Sequence, residues 1–292
     1  MSFVPGHVSL TFAVWPHKDP LKMGSTGIGL VLPQGVHCAV VDEQSESSEN
    51  VVICGGKKID DPVTLRALEL IGFENQGLTI YLRRDLPLGF GLGISGASAL
   101  AACLEMEKDF EKAVKASHQA EIEFKTGLGD VMAISATLKE NFFPSIVIRE
   151  SPGYGGEVRA YPVNDKILVC LSGLGRDTSQ ILNDTEWVEI INSASIGIQL
   201  ANVNLRTVIK TGRLFSEKAG LMNENLSVIL EKVPFGAVAT VAHLGTSLVA
   251  SSILPKTKAA ALLTRILILP YSQQVLSLIH ISAPTSRYAI SY

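Results

Sequence analysis

Short runs of β-branched and aromatic residues alternate with helical periodicities along the first half of the chain. Runs at 8–14, 29–32, 36–41, 51–54, 78–82, 146–148 and 158–161 predict strands, because such side chains pack well on a pleated surface. Apolar residues three and four apart predict helices at 63–71, 97–114 and 117–124. A second set follows: a strand at 167–171, helices at 178–182, 185–200, 203–210, 213–219 and 223–232, strands at 237–243 and 247–252, and a helix at 256–264. The loop Pro152-Gly-Tyr-Gly-Gly and the turn Pro162-Val-Asn-Asp separate the two sets and place a boundary near residue 163. Mixed strands first and helix-rich units later argue an α+β protein with subdomains at 1–163 and 164–275.

Composition narrows the class. With 292 residues, 47% of them hydrophobic and 18% charged, the chain can bury a substantial core. Its net charge is −3 and its Lys and Arg residues are scattered, which disfavours nucleic acid or an anionic membrane as the main partner. No apolar run approaches the roughly 18 residues a membrane span needs. The opening Met-Ser-Phe-Val-Pro lacks the basic and apolar regions of a secretory signal. Cys38, Cys54, Cys103 and Cys170 sit in apolar runs without metal-ligand spacing, so reduced core cysteines and a cytoplasmic setting are expected.

One segment carries most of the chemistry. In Leu86-Pro-Leu-Gly-Phe-Gly-Leu-Gly-Ile-Ser-Gly-Ala-Ser-Ala-Leu100, four glycines run straight into a helix-forming stretch. Such a loop lets successive amides converge on an anion at the positive end of a helix, as a polyphosphate cradle requires. Gly91-x-Gly93-x-x-Gly96 also satisfies the dinucleotide fingerprint, but eight residues separate it from the preceding strand and no acidic residue follows a second strand. A Walker A loop is excluded, because Ala97 stands where its lysine belongs. A plain glycine-rich turn before a buried helix remains open.

Downstream, the spacing of three puts His118 and Glu121 on one helical face. The helix then breaks at Thr126-Gly-Leu-Gly, which projects Asp130 from the start of the next helix, as an acid–base group or simply as an N-cap. Arg149, ending a strand, offers the bidentate cation that a small carboxylate needs, or is a solvated surface arginine.

Pro87-Leu-Gly-Phe-Gly-Leu-Gly-Ile-Ser-Gly-Ala closely resembles the phosphate loop of the GHMP kinases, and its Ser95-Gly96-Ala97 ending resembles the archaeal pantoate kinases of that superfamily. Phe3-Val-Pro-Gly-His7-Val, Asp19-Pro-Leu-Lys-Met-Gly-Ser25-Thr-Gly-Ile-Gly29 and Thr126-Gly-Leu-Gly-Asp-Val131 resemble further segments of the same proteins. The resemblance implies a left-handed βαβ N-terminal domain and a ferredoxin-like C-terminal one. It implies ATP and Mg²⁺ as cofactors and phosphorylation of the primary hydroxyl of pantoate, toward coenzyme A. ATP would lie on Pro87, Gly89, Gly91, Gly93, Ile94, Ser95, Gly96, Ala97 and Ser98, with Mg²⁺ between Ser95 and Glu121. Asp130 would be catalytic, and Ser25, His118, Arg149 and His7 would bind substrate. Mevalonate- or homoserine-like kinases and a non-catalytic nucleotide-binding regulator are the alternatives, and assembly into a homodimer stays open. Three departures stand out. His7 replaces a lysine common in the family, 139–144 is longer than usual, and the third glycine-rich motif survives only as Gly236-Ala-Val-Ala-Thr and Ala242-His-Leu-Gly-Thr-Ser247. The end, 276–292, resembles a translated sequencing adapter and is expected to be a non-native tail, unless 277–281 is an ordinary final strand.

Overall fold

The computed structural model describes residues 1–42, 48–165, 167–171, 184–198, 200, 202–222, 224–231, 233, 237–243, 247–252 and 277–281. The first unit contains β1 (Ser2–Ser9), β2 (Ala13–Trp15), β3 (Gly24–Asp42), β4 (Val51–Cys54), β5 (Lys57–Ile59), α1 (Pro62–Leu70) and β6 (Leu78–Arg84). It continues with α2 (Ile94–Met106), α3 (Phe110–Glu123), α4 (Asp130–Leu138), β7 (Ser145–Arg149) and β8 (Val158–Pro162). Its sheet runs β5-β4-β6-β3-β7-β8, and β1 and β2 also pair with β3. Among the described residues only β4 and β6 pair in parallel, with α1 in the connection between them.

The long β3 covers two expected strands and the Pro-Gln-Gly between them. Proline donates no ladder hydrogen bond, and the pairing steps around it. β7 takes Gly27–Val31, β6 takes Val36–Asp42, and the register with β1 slips between Pro5 and His7. The expected strand 8–14 instead bends at 10–12, so β1 and β2 meet β3 separately. The expected helix 97–114 breaks after Met106, because Asp109 accepts hydrogen bonds from Glu111 N (3.0 Å) and Lys112 N (3.3 Å) and starts a new helix. α2 is alanine-rich and buried along most of its length; it packs against α1, α3, β1 and β3.

The second unit contains β9 (Ile167–Leu171), α5 (Thr185–Ser195), α6 (Leu205–Lys218), α7 (Glu224–Glu231), β10 (Ala237–Val241), β11 (Ser247–Ser252) and β12 (Ser277–Ile281). Its sheet runs β10-β11-β9-β12, antiparallel throughout, which is the strand order of a ferredoxin-like unit. The expected helices at 203–210 and 213–219 form the single α6, since buried Gly212 does not break the helix but lets it approach the Leu10 carbonyl. Helices expected at 178–182 and 256–264 lie outside the described residues, as do Gly236, Gly245 and most of the final tail. One hydrophobic core joins the units: Val8, Leu10 and Leu30 share it with Leu205, Val208 and Val249.

Candidate active site

The cavity that matters opens where β1, the glycine loop and the ends of α3 and β10 converge; it has a volume of about 290 Å³. The loop between β6 and α2 shapes one side. Gly89, Gly91 and Gly93 take φ of 79°, 71° and 65°, the left-handed region that side-chain-bearing residues avoid. Two carbonyls between these glycines are held by neighbours: His7 N donates to Leu92 O (2.9 Å), and the Ser247 hydroxyl donates to Phe90 O (2.9 Å). With those carbonyls engaged, the loop can offer N–H groups to an anion. Gly93 caps α2 with no side-chain hydrogen bond, so the N-terminal end of the helix faces the cavity through Ile94, Ser95 and Gly96.

Opposite the loop stand two carboxylates. Glu121 is 1% exposed near the end of α3, and Asp130 opens α4 with its side chain 18% exposed. Asp130 is not the N-cap; Gly129 holds that position. Both carboxylates flank Gly127, where a Cβ would fall 2.5 Å from Asp130 Oδ2 and closer still to Glu121 Oε1. Burial and the neighbouring Asp130 charge push the Glu121 carboxyl well above the ordinary carboxylate range. For Asp130 burial acts in the same sense, yet the hydrogen bond from His7 and the nearby Arg149 charge outweigh it and hold its carboxyl low. Ser95 Oγ lies 3.4 Å from Thr126 Oγ1 on the rim of this pair. A hydroxyl and a buried carboxylate beside a second one form a donor set that fits Mg²⁺, which takes few protein oxygens and completes its shell with phosphates and water. No group of three or more His, Cys, Asp or Glu side chains able to hold a metal occurs among the described residues.

Behind Asp130 runs a fully buried relay. His7 follows the register slip in the β1–β3 ladder, where β3 carries the extra residues, and its Nδ1 lies 2.5 Å from Asp130 Oδ1. Arg149 Nη1 donates to His7 Nε2 (3.2 Å), and its Nη2 donates to Ser9 Oγ (3.4 Å). A guanidinium can only donate, so Nε2 is an acceptor and the His7 proton sits on Nδ1, pointing at Asp130. Burial, with the Arg149 charge, lowers the His7 pKa and keeps the ring neutral. Arg149 Nε is buried without a partner among the described residues.

The structure distributes the expected residues unevenly. Pro87, Gly89, Gly91, Gly93, Ile94, Ser95, Gly96, Ser25, Glu121 and Asp130 line the cavity. Ala97 and Ser98 lie fully buried one turn into α2 and do not line it. His7 and Arg149 stand behind its wall. His118 is buried away from it, with Nε2 3.2 Å from the Met23 carbonyl. It therefore supports the segment leading to Ser25, and burial lowers its pKa to about 4. Ser25 sits beside Gly129, whose Cβ would fall 2.7 Å from Ser25 Oγ. Sequence reading missed Ser9, Phe12, Asp61 and His243, all of which line the cavity. For Asp61 the signal was available, as an aspartate before Pro62 that caps α1; His243 lay in a motif too eroded to read.

Known proteins resemble this chain in sequence and in fold. Residues 62–137 match the model of the GHMP kinases N-terminal domain. The pantoate kinase of Methanocaldococcus jannaschii is 28% identical over 256 residues, covering 84% of this chain and 90% of that protein. That of Thermococcus kodakarensis is 26% identical over 249 residues, covering 80% of each. Among solved structures, a phosphotransferase related to the coenzyme A biosynthesis pathway superposes with a TM-score of 0.74 at 23% identity over 98% of both chains. The galactokinase of Lactococcus lactis does so at 0.63 and 13%, covering 96% of this chain and 92% of that one. The fold is that of the GHMP kinases.

Proposed function

We propose that this chain is a GHMP-superfamily kinase that uses ATP and Mg²⁺ to phosphorylate the primary hydroxyl of pantoate, giving 4-phosphopantoate for coenzyme A biosynthesis. The observation that carries the reading is the Arg149–His7–Asp130 relay, which ends on a carboxylate opposite an anion cradle. Phosphoryl transfer asks a protein mainly for positioning and charge neutralisation.

The glycine loop and the start of α2 would hold the β- and γ-phosphates. Ser95 and Glu121 would hold Mg²⁺, which when bound neutralises phosphate charge. Asp130 Oδ1 is engaged by His7, and the carboxylate also hydrogen-bonds Glu121, which leaves Oδ2 with a lone pair for the acceptor hydroxyl. The acceptor hydroxyl attacks the γ-phosphorus, its proton passes to Asp130 Oδ2, and the bond from γ-phosphorus to the bridging oxygen breaks to release ADP. In place of the family lysine, His7 supplies a neutral donor that stabilises the Asp130 carboxylate without adding a charge. Ser25 and Ser9 lie within reach of the acceptor, and Arg149 behind them provides the positive field a carboxylate substrate needs.

A coupled ADP-release assay against pantoate, mevalonate and homoserine tests the assignment. Turnover of pantoate well above the other two is expected. Preferential turnover of either other alcohol would replace the substrate, and no turnover with any of them would defeat the kinase reading.

A further inference from the structure

The acceptor end of the cavity has a polar side and an apolar one, with His243 packed against the apolar side. Ser9, Ser25 and Asp130 supply the polar groups, whereas Phe12 and Leu128 face the same space from one buried apolar cluster that also holds Ile122 and Phe215. Their placement ties them to the chemistry. Leu128 stands two residues before Asp130, between the two glycines that shape that turn. Phe12 lies three residues after Ser9, in the bend joining β1 to β2.

Phe12 is also held in place. Its ring centroid is 5.7 Å from Phe215 and 5.9 Å from His243, and those two rings meet edge-on at 4.8 Å. His243 is itself anchored, with Nε2 2.5 Å from the Leu10 carbonyl. These contacts hold the wall in place against the cavity. Other apolar groups on the cavity, such as Pro62, Val63 and Leu88, come from the start of α1 and the glycine loop at the nucleotide end.

A ligand filling this end must present oxygens to one side and an apolar, branched carbon to the other. We infer that Phe12, backed by Leu128, is a specificity-determining wall that packs against the substituents on the carbon next to the reacting hydroxymethyl group. In pantoate, on whose assignment this inference rests, those substituents are two methyl groups. The wall selects a 3,3-dimethyl hydroxy acid over its unbranched counterpart. A single methylene in an apolar pocket is worth about 10–200-fold in kcat/KM, so two methyls leave a measurable margin.

The test compares kcat/KM for pantoate and for 2,4-dihydroxybutanoate, the same acid without its methyls, in the full-length chain and in Phe12→Ala and Phe12→Leu. The wild-type chain is expected to prefer pantoate by at least about 10-fold. In Phe12→Ala that ratio falls to within about 3-fold, chiefly through KM for pantoate, with KM for ATP unchanged; Phe12→Leu falls between. Thermal melting checks that each variant is folded, and Leu128→Ala reads the same ratio should Phe12→Ala not fold. An unaltered ratio in folded variants overturns the wall, as does an equal loss of turnover for both acids. Pantoate turnover with an unaltered ratio defeats the wall alone, whereas a chain that phosphorylates neither acid defeats the substrate assignment with it.

Discussion

At the scale of single residues, the site is organised by what stands behind Asp130 rather than by what it touches in the cavity. Arg149 fixes the tautomer of His7, and His7 directs its only proton at Asp130. A hydrogen bond to a charged group is worth roughly 1.5–3 kcal/mol. His7→Ala is therefore expected to lower kcat by about 10–100-fold and leave ATP affinity near wild type; steady-state kinetics beside nucleotide titration would check the split. Gly127 supplies a steric counterpart. Any side chain there enters the space held by the Glu121 and Asp130 oxygens. Gly127→Ala should force the carboxylates apart and weaken Mg²⁺-dependent turnover more than it weakens folding, which a Mg²⁺ titration of activity would reveal. The same crowding holds at Gly96, where a Cβ would lie 2.6 Å from Glu121 Oε1. Asp130 and Glu121 were legible because carboxylates beside a glycine break leave a signal in local spacing. The relay was not, since Arg149 and His7 are 142 positions apart and meet only through the pairing of β1, β3 and β7.

At the scale of elements, the glycine loop is held by a buried clasp. Arg84 ends β6 just before the loop, its Nε donates to Ser98 Oγ beyond it (3.1 Å), and its Nη2 pairs with Asp61, the N-cap of α1. Three elements meeting at the cradle thus share one guanidinium. Removing one partner of a buried pair strands the other charge and costs about 3–5 kcal/mol, whereas replacing both by apolar groups is often tolerated. Arg84→Met should lower stability by that amount in urea denaturation, and adding Asp61→Leu should restore much of it; a double variant no better than the single one would mean that the pair contributes little. Helix and strand identities were largely readable from periodicity, but their joins were not. Pro33 suggested a break where β3 continues through a register slip, and the apolar pattern across 106–110 hid the stop that Asp109 enforces. Propensity and periodicity are local, while the ladder that carries β3 past its proline belongs to distant partners.

At the scale of the whole molecule, the two sheets meet across the site. Ser247 reaches from β11 to the loop, and His243 from the end of β10 to Leu10, so the second unit braces the first. Burial pushes His243 and His118 down to about 4, below an ordinary 6.5. Between those values the unfolded chain binds protons that the folded chain refuses. The stability from these rings is full above about pH 6.5 and is lost as pH falls toward 4, roughly 3 kcal/mol for each ring. The urea midpoint should therefore drop between pH 7 and pH 5, and His243→Gln should shrink the drop; a midpoint that does not move would contradict the burial of both rings. The contacts that close the site were not legible in the sequence, because they join residues from opposite ends of the chain. In the proposed reaction Asp130 takes the acceptor proton during ATP-dependent phosphorylation of pantoate. Measuring kcat for pantoate and the binding constant for ATP in Asp130→Asn, which keeps the shape and removes the base, tests it most directly. A loss of about 10²–10⁴ in kcat with ATP binding preserved is expected; turnover within a few-fold of wild type would contradict Asp130 as the proton acceptor.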